Sequence, residues 1–209
     1  MIGGLLVGVL AVSLHSDPTL VELDARIASW ASRHATALST DGLDVLTHLG
    51  ATGTVIVLAI ALTIVETIRT RTRWIAPFLL LVIAGEILLS TTIKELVDRA
   101  RPTLNPIAQT LGPSFPSGHT TAAAAFYAAA ALILSRGRGP RGRAVLAGGG
   151  VAIAVAVATS RVLLDVHWVT DVIGGLALGW AWFAVCAVAF GGRLLRFGST
   201  AEAVQADRP

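Results

Sequence analysis

Three short stretches of this chain gather residues that could handle an oxyanion. The first runs from Lys94 through Asp98 and Arg101 to Pro102. Lys94 and Arg101 are seven positions apart, two helical turns, so a helix would turn both cations to one face. Asp98 lies between them, placed to hold both side chains, and Pro102 marks the helix end. Two cations pointing one way suit a phosphate; they equally suit snorkelling anchors at a membrane surface. The second stretch is Pro116-Ser117-Gly118-His119. Ser117 is placed to cap a helix whose free N–H groups would attract an anion. Gly118 lets the backbone come close, and His119 in the first turn could give a proton to a leaving oxygen. The third holds Ser160, Arg161, His167 and Asp171. His167 and Asp171 are four apart, so on a helix they share a face. A carboxylate on one ring nitrogen leaves the other oriented and nucleophilic.

Taken together, these stretches supply three cations, a helix N-terminus, one oriented histidine and a second histidine. That is a phosphate-binding cup with a nucleophile and an acid. No acidic ligand set for magnesium stands out, and the His–Asp spacing is not a zinc pattern. Protein cations are therefore expected to do the charge work, with no metal or other cofactor.

The elements that position these residues follow from composition. Of 209 residues, 54% are hydrophobic and 14% charged, with a mean hydropathy of +0.73. Soluble domains carry about 25% charged residues. A soluble globule and a disordered chain are thus excluded. The single cysteine, Cys186, lies in an apolar run and excludes a disulfide scaffold. The net charge of +3 is not a nucleic-acid signature, because the arginines sit in short clusters between apolar spans.

Six apolar stretches cover Ile2 to Leu14, Leu43 to Ile68, Trp74 to Ile93, Gly118 to Ser135, Ala144 to Leu164 and Trp168 to Phe190. The predicted fold is an all-α integral membrane bundle of six transmembrane helices. The first stretch is short against the ~20 residues a bilayer needs. After it, Asp17-Pro18 reads as a helix start. Leu20, Leu23, Ile27 and Trp30 then oppose Glu22, Arg26, Ser29 and Arg33. This predicts a short amphipathic helix, either in the membrane interface with Trp30 as anchor or packed on the bundle. Glycines 148–150, 174, 175 and 179 are expected to let helices approach closely.

Loop charge sets the orientation. Arg69, Arg71 and Arg73, then Arg136, Arg138, Arg141 and Arg143, then Arg193 and Arg196 fall on one side of a six-span chain. Both termini are predicted to be cytoplasmic and all three chemical clusters to lie outside. Residues 1–198 form the membrane domain, and 199–209 read as a polar, disordered cytoplasmic tail. Fifteen of the sixteen basic residues are arginine, so the lone Lys94 stands out. Glu86 falls mid-span and needs a partner or water. His48 sits at the outer end of the second stretch. Glu95, Arg99 and Asp165 flank the motifs.

Lys-x6-Arg-Pro at 94–102, Pro-Ser-Gly-His at 116–119 and Ser-Arg-x5-His-x3-Asp at 160–171 resemble the three motifs of the type 2 phosphatidic acid phosphatase family, complete and in order. The resemblance implies that His167 attacks phosphorus and Asp171 orients it. His119 would protonate the leaving group and then activate water. Lys94, Arg101 and Arg161 would hold the phosphoryl oxygens with Ser117 and the Gly118 amide. It implies an inner-membrane hydrolase acting on a lipid phosphate, with membrane lipids as surroundings, no nucleic-acid partner and no stated oligomeric state. An outward-facing site suggests a polyprenyl pyrophosphate such as undecaprenyl pyrophosphate. The alternatives are phosphatidic acid or phosphatidylglycerophosphate, and a lipid phosphotransferase on the same fold.

Overall fold

The computed structural model describes residues 2–34, 36–102 and 112–195, and every regular element among them is helical. In chain order the helices are α1 Ile2–Ser16, α2 Pro18–His34, α3 Ala37–Thr47, α4 Thr52–Thr70, α5 Ile75–Val97, α6 Gly118–Leu134, α7 Pro140–Leu163 and α8 Val169–Leu195. The 199–209 tail and Arg196 lie outside the described residues.

Helix α6 is the centre of the bundle and packs against α4, α5, α7 and α8. Its alanines let the neighbours come close, and Ala122 to Ala125 are all buried. Glycines meet it from the other side. A β-carbon at Gly179 would lie 2.5 Å from Thr121 O, and one at Gly150 would lie 2.9 Å from Tyr127 O. Small residues are what allow membrane helices this approach. Gly148 and Gly149, by contrast, face open space, so one glycine of that triplet serves the packing.

The outer surface is apolar: Leu5, Val57, Ile68, Leu80, Val145 and Val188 are all well exposed. Water would not tolerate this girdle, whereas lipid does. Helices α4, α5, α7 and α8 are long and apolar enough to cross a membrane. At 15 and 17 residues, α1 and α6 are shorter. At 1.5 Å per residue they reach only about 22 and 26 Å, short of a ~30 Å core.

The expected second span does not run unbroken from Leu43. Helix α3 ends at Thr47, a 3₁₀ turn covers His48–Gly50, and Ala51 is extended before α4 starts. The turn packs on the head of α6. A β-carbon at Gly50 would lie 2.7 Å from His119 O, and Tyr127 Oη donates to Leu49 O at 3.0 Å. The apolar pattern continues across the corner, which is why composition does not reveal it.

Helix α2 starts as expected, with Thr19 N–H donating to Asp17 Oδ1 at 2.9 Å. Its faces are partly reassigned. Leu23 and Trp30 are about half exposed, while Asp24, Ala28 and Ala31 are buried against the bundle. Thus α2 docks on a small-residue face carrying one acid and leaves much of its apolar stripe outward, as an interfacial helix would.

Candidate active site

The cup is built where four helix ends meet. Lys94 lies in the last turn of α5, His119 in the first turn of α6, and Arg161 in the last turn of α7. His167 occupies the turn before α8, and Asp171 sits in the first turn of α8. Lys94, Arg101, Gly118, His119, Arg161 and His167 all face one cavity of about 360 Å³. Thr52, Glu86, Ile87, Ser90 and Thr91 line its remainder. A larger groove between α1 and α8, about 1030 Å³, is apolar and holds none of these groups.

Arg101 reaches the cup by a route the spacing did not predict. Helix α5 stops at Val97, and Asp98 closes it in the left-handed conformation at φ 43°. Asp98 is exposed and makes no ion pair among the described residues. Arg101 therefore sits on a non-helical segment, and its orientation comes from carbonyls. Its Nε donates to Gly112 O at 2.9 Å, Nη2 to Pro113 O at 3.2 Å, and Nη1 to Val166 O at 2.9 Å. Lys94 Nζ donates to Pro113 O at 3.3 Å. One loop carbonyl thus holds both cations that Asp98 was expected to hold.

His167 is 2% exposed and its two nitrogens have distinct partners. Nδ1 lies 3.3 Å from Asp171 Oδ2, and Nε2 lies 3.1 Å from Arg101 Nη1. A guanidinium only donates, so Nε2 must be the ring's acceptor and Nδ1 must carry the proton. The lone pair of Nε2 therefore faces the cations of the cavity. Burial lowers the imidazole pKa to about 4; Asp171 opposes this, and Arg101 and Arg161 add to it. The ring is therefore neutral at pH 7.

His167 and Asp171 do not lie one turn apart on a single helix. His167 precedes α8, and Trp168 is the residue before its first turn. Asp171 reaches back, accepting from Trp168 N–H at 3.0 Å, as the acid of a capping box does. Its backbone carbonyl also accepts from Ser117 N–H at 3.0 Å, which ties the second motif to the third.

Ser117 stands at the N-cap position of α6 but makes no side-chain cap bond. It is fully buried, and its Oγ accepts from Thr120 Oγ1 at 3.0 Å, beneath the cavity rather than lining it. Gly118 faces the cavity, and the first N–H groups of α6 have no capping side chain there. Arg161 is anchored by Nη1 donating to Thr47 Oγ1 at 3.1 Å, while its buried Nε has no protein partner among the described residues.

The structure adds residues that spacing could not assign. Arg99 donates to Asp171 Oδ1 at 2.6 Å through Nη1 and to Asp24 Oδ2 at 2.7 Å through Nη2. Its guanidinium lies 5.4 Å from the centre of the Trp168 ring. Asp24, on α2, also accepts from Thr170 N–H at 3.1 Å and from the Thr170 hydroxyl. So α2 supplies the acceptor that caps α8 and steadies the cation behind Asp171. Arg99 lay within the first motif and could be suspected; nothing in the sequence pairs it with a residue 75 positions away. His48, in the 3₁₀ turn, does not line the cavity; its Nδ1 lies 2.6 Å from Asp44 O of α3.

Comparison with known proteins gives the family and the fold. A model of the PAP2 superfamily matches residues 74–194, which carry all three motifs, and the chain belongs to that family. Phosphatidylglycerophosphatase B of Bacillus subtilis is 36% identical over 139 residues, covering 64% of this chain and 66% of that protein. Lipid A 1-phosphatase of Rhizobium johnstonii is 34% identical over 122 residues, covering 54% and 46%. The aligned stretches thus span about half to two thirds of these relatives. The crystal structure of a transmembrane PAP2-type phosphatidylglycerolphosphate phosphatase from Bacillus subtilis superposes with a TM-score of 0.85 at 29% identity, over 93% of this chain and 96% of that one. LpxE of Aquifex aeolicus shares the fold, with a TM-score of 0.60 at 22% identity over 79% and 95%. The apolar girdle and these membrane neighbours make this chain a membrane protein.

Proposed function

We propose that this chain is a lipid phosphatase that cleaves a phosphomonoester through a phosphohistidine. The observation that carries the reading is His167 Nε2, unprotonated and facing a cavity lined by Lys94, Arg101 and Arg161. Nε2 attacks phosphorus and the P–O bond to the lipid alcohol breaks. His119 takes up a proton as the anionic phosphoryl group enters the cup and gives it to the leaving oxygen. In the second step neutral His119 takes a proton from water, the oxygen attacks phosphorus, and the P–N bond breaks to return free His167. Lys94, Arg101, Arg161 and the Gly118 amide hold the phosphoryl oxygens, where fixed donors do most for phosphoryl transfer. Ser117 fixes the start of α6 through its backbone, donating to Asp171 O and accepting from Thr121 N–H. Asp171 holds the Nδ1–H tautomer throughout and stabilises the positive ring.

Substrate identity follows the relatives more than the first expectation. A phosphatidylglycerophosphate-like phosphomonoester is favoured over undecaprenyl pyrophosphate, because the named relatives act on phosphatidylglycerophosphate and lipid A. The tail would lie in an apolar groove between α4 and α5, about 690 Å³, which shares Ile87 with the polar cavity. The arginine-rich loops support cytoplasmic termini and a site on the outer side of the inner membrane. Phosphate release from purified protein tests the reading, using phosphatidylglycerophosphate, phosphatidic acid and undecaprenyl pyrophosphate with EDTA present. Release from the phosphomonoesters that His167→Ala abolishes is expected. Full turnover by that variant, or complete loss in EDTA, would overturn it.

A further inference from the structure

Glu86 faces the cup, yet the phosphoryl chemistry above gives it nothing to do. It lies on α5 two turns before Lys94, and it is 2% exposed. It lines the same cavity as the three cations. Its carboxyl has no hydrogen bond or ion pair among the described residues. A buried polar group without a partner is costly, so one aimed into a ligand cavity waits for its partner there. Lys94 is not that partner, since eight residues of helix separate the two by about 12 Å. The cavity therefore has two chemically distinct ends. One is cationic and takes the phosphoryl group. The other carries Glu86 and, one turn on, Ser90.

Ser90 narrows the ligand. It is buried and lines the cavity, and its hydroxyl hydrogen is already given to Ile87 O at 3.2 Å. What Ser90 offers the cavity is a lone pair. Glu86 beside it also offers acceptor oxygens. Two acceptors on one wall fit a hydrogen-bond donor with no positive charge of its own to hold at that depth: an alcohol. The carbon skeleton joined to the phosphoryl group has to pass this wall on its way to the apolar groove at Ile87. A diacylglycerol or a prenyl alcohol, its hydroxyl esterified to the phosphate, has none left to present there. A phosphorylated glycerol or sugar headgroup has one.

We propose that Glu86, with Ser90, binds a free hydroxyl on the alcohol portion of the substrate and so selects phosphomonoesters of polyol headgroups. This rests on the lipid-phosphatase reading above and adds the substrate class to it. A hydroxyl that satisfies an otherwise unpartnered buried carboxyl contributes roughly ten- to a hundredfold in kcat/KM over its deoxy counterpart.

The test compares phosphatidylglycerophosphate with an analogue lacking the secondary hydroxyl of its phosphorylated glycerol, both in mixed micelles. The native chain should prefer the hydroxylated substrate by about tenfold or more in kcat/KM. Glu86→Leu should bring that ratio close to one, whatever happens to the absolute rates. Glu86→Gln, which keeps the volume and one acceptor oxygen, should give an intermediate ratio and serves if the leucine variant fails to fold. A ratio near one in the native chain, or a ratio that both variants leave intact, would overturn the proposal. If the native chain releases phosphate from neither lipid, the lipid-phosphatase reading itself has failed. If it hydrolyses both equally, that reading stands and the Glu86 assignment falls.

Discussion

Replacing Arg99 by methionine isolates what the network behind His167 contributes. The guanidinium spans two carboxylates that are almost wholly buried, Asp171 at 2.6 Å and Asp24 at 2.7 Å, and is itself 13% exposed. Methionine keeps much of the volume and removes the charge. Deleting one partner of a buried pair costs about 3–5 kcal/mol, because the charge left behind has lost its compensation. Here two acids lose it, although Asp171 keeps the Trp168 N–H and Asp24 keeps Thr170. The expected loss is at least ~3 kcal/mol, or about 6–12 °C in Tm for a chain of this size. Asp24→Asn should cost less, since Arg99 retains Asp171. The Arg99→Met/Asp24→Asn double variant should be more stable than the sum of the single losses predicts, by roughly 1–3 kcal/mol. The assay is thermal unfolding in detergent for all four proteins. A second readout separates stability from chemistry. Burial holds the His167 pKa near 4, so the acid limb of kcat/KM should fall as pH drops through that value. Removing a cation from behind Asp171 favours the protonated ring, so the acid limb should move to higher pH in Arg99→Met. Strictly additive Tm losses together with an unmoved acid limb would refute the network.

Other perturbations have definite signs. Asp171→Asn should lower kcat by about 10³–10⁴-fold through loss of the Nδ1–H tautomer. It should also move the acid limb further down, because Asp171 raises the His167 pKa; both appear in one pH–rate profile. Lys94→Met should lower kcat/KM about 10²–10³-fold, the size seen when a fixed donor to a developing charge is removed. Lys94→Arg should recover only part of this, since a planar fork does not replace a point charge held at Pro113 O. Gly50→Val should lower activity and cost about 1–3 kcal/mol of stability, because its β-carbon would press on the His119 carbonyl. Gly148→Val, in open space, should do neither; Tm and phosphate release read both.

The cup's residues were legible because an oxyanion site needs few residue types and the chain spaces them locally. Pro116 to His119 and His167 with Asp171 each fall within five positions, so they read as units even though His167 precedes its helix. Lys94 and Arg101 were found for a reason only half right. Both do reach one cavity, but Arg101 gets there from a loop after Asp98 breaks the helix. A C-terminal left-handed residue has no strong signature when it is aspartate rather than glycine. Asp24 was hidden because its role depends on a partner far away in sequence, and on α2 it reads as one more surface acid. The break at 48–51 was hidden because Val45, Leu46, Leu49 and Val55 carry an apolar pattern across it. Glu86 was conspicuous as a mid-span acid, but only packing shows which way it faces.

The central claim is that His167 is the nucleophile. The direct measurement is a rapid-quench turnover with lipid substrate labelled at the terminal phosphorus, followed by mass spectrometry of the peptide that contains position 167. Phosphate on His167 at early times, decaying as free phosphate appears and absent in His167→Ala, is the predicted result. Turnover with no phosphate on His167, or with the label on another residue, would contradict it.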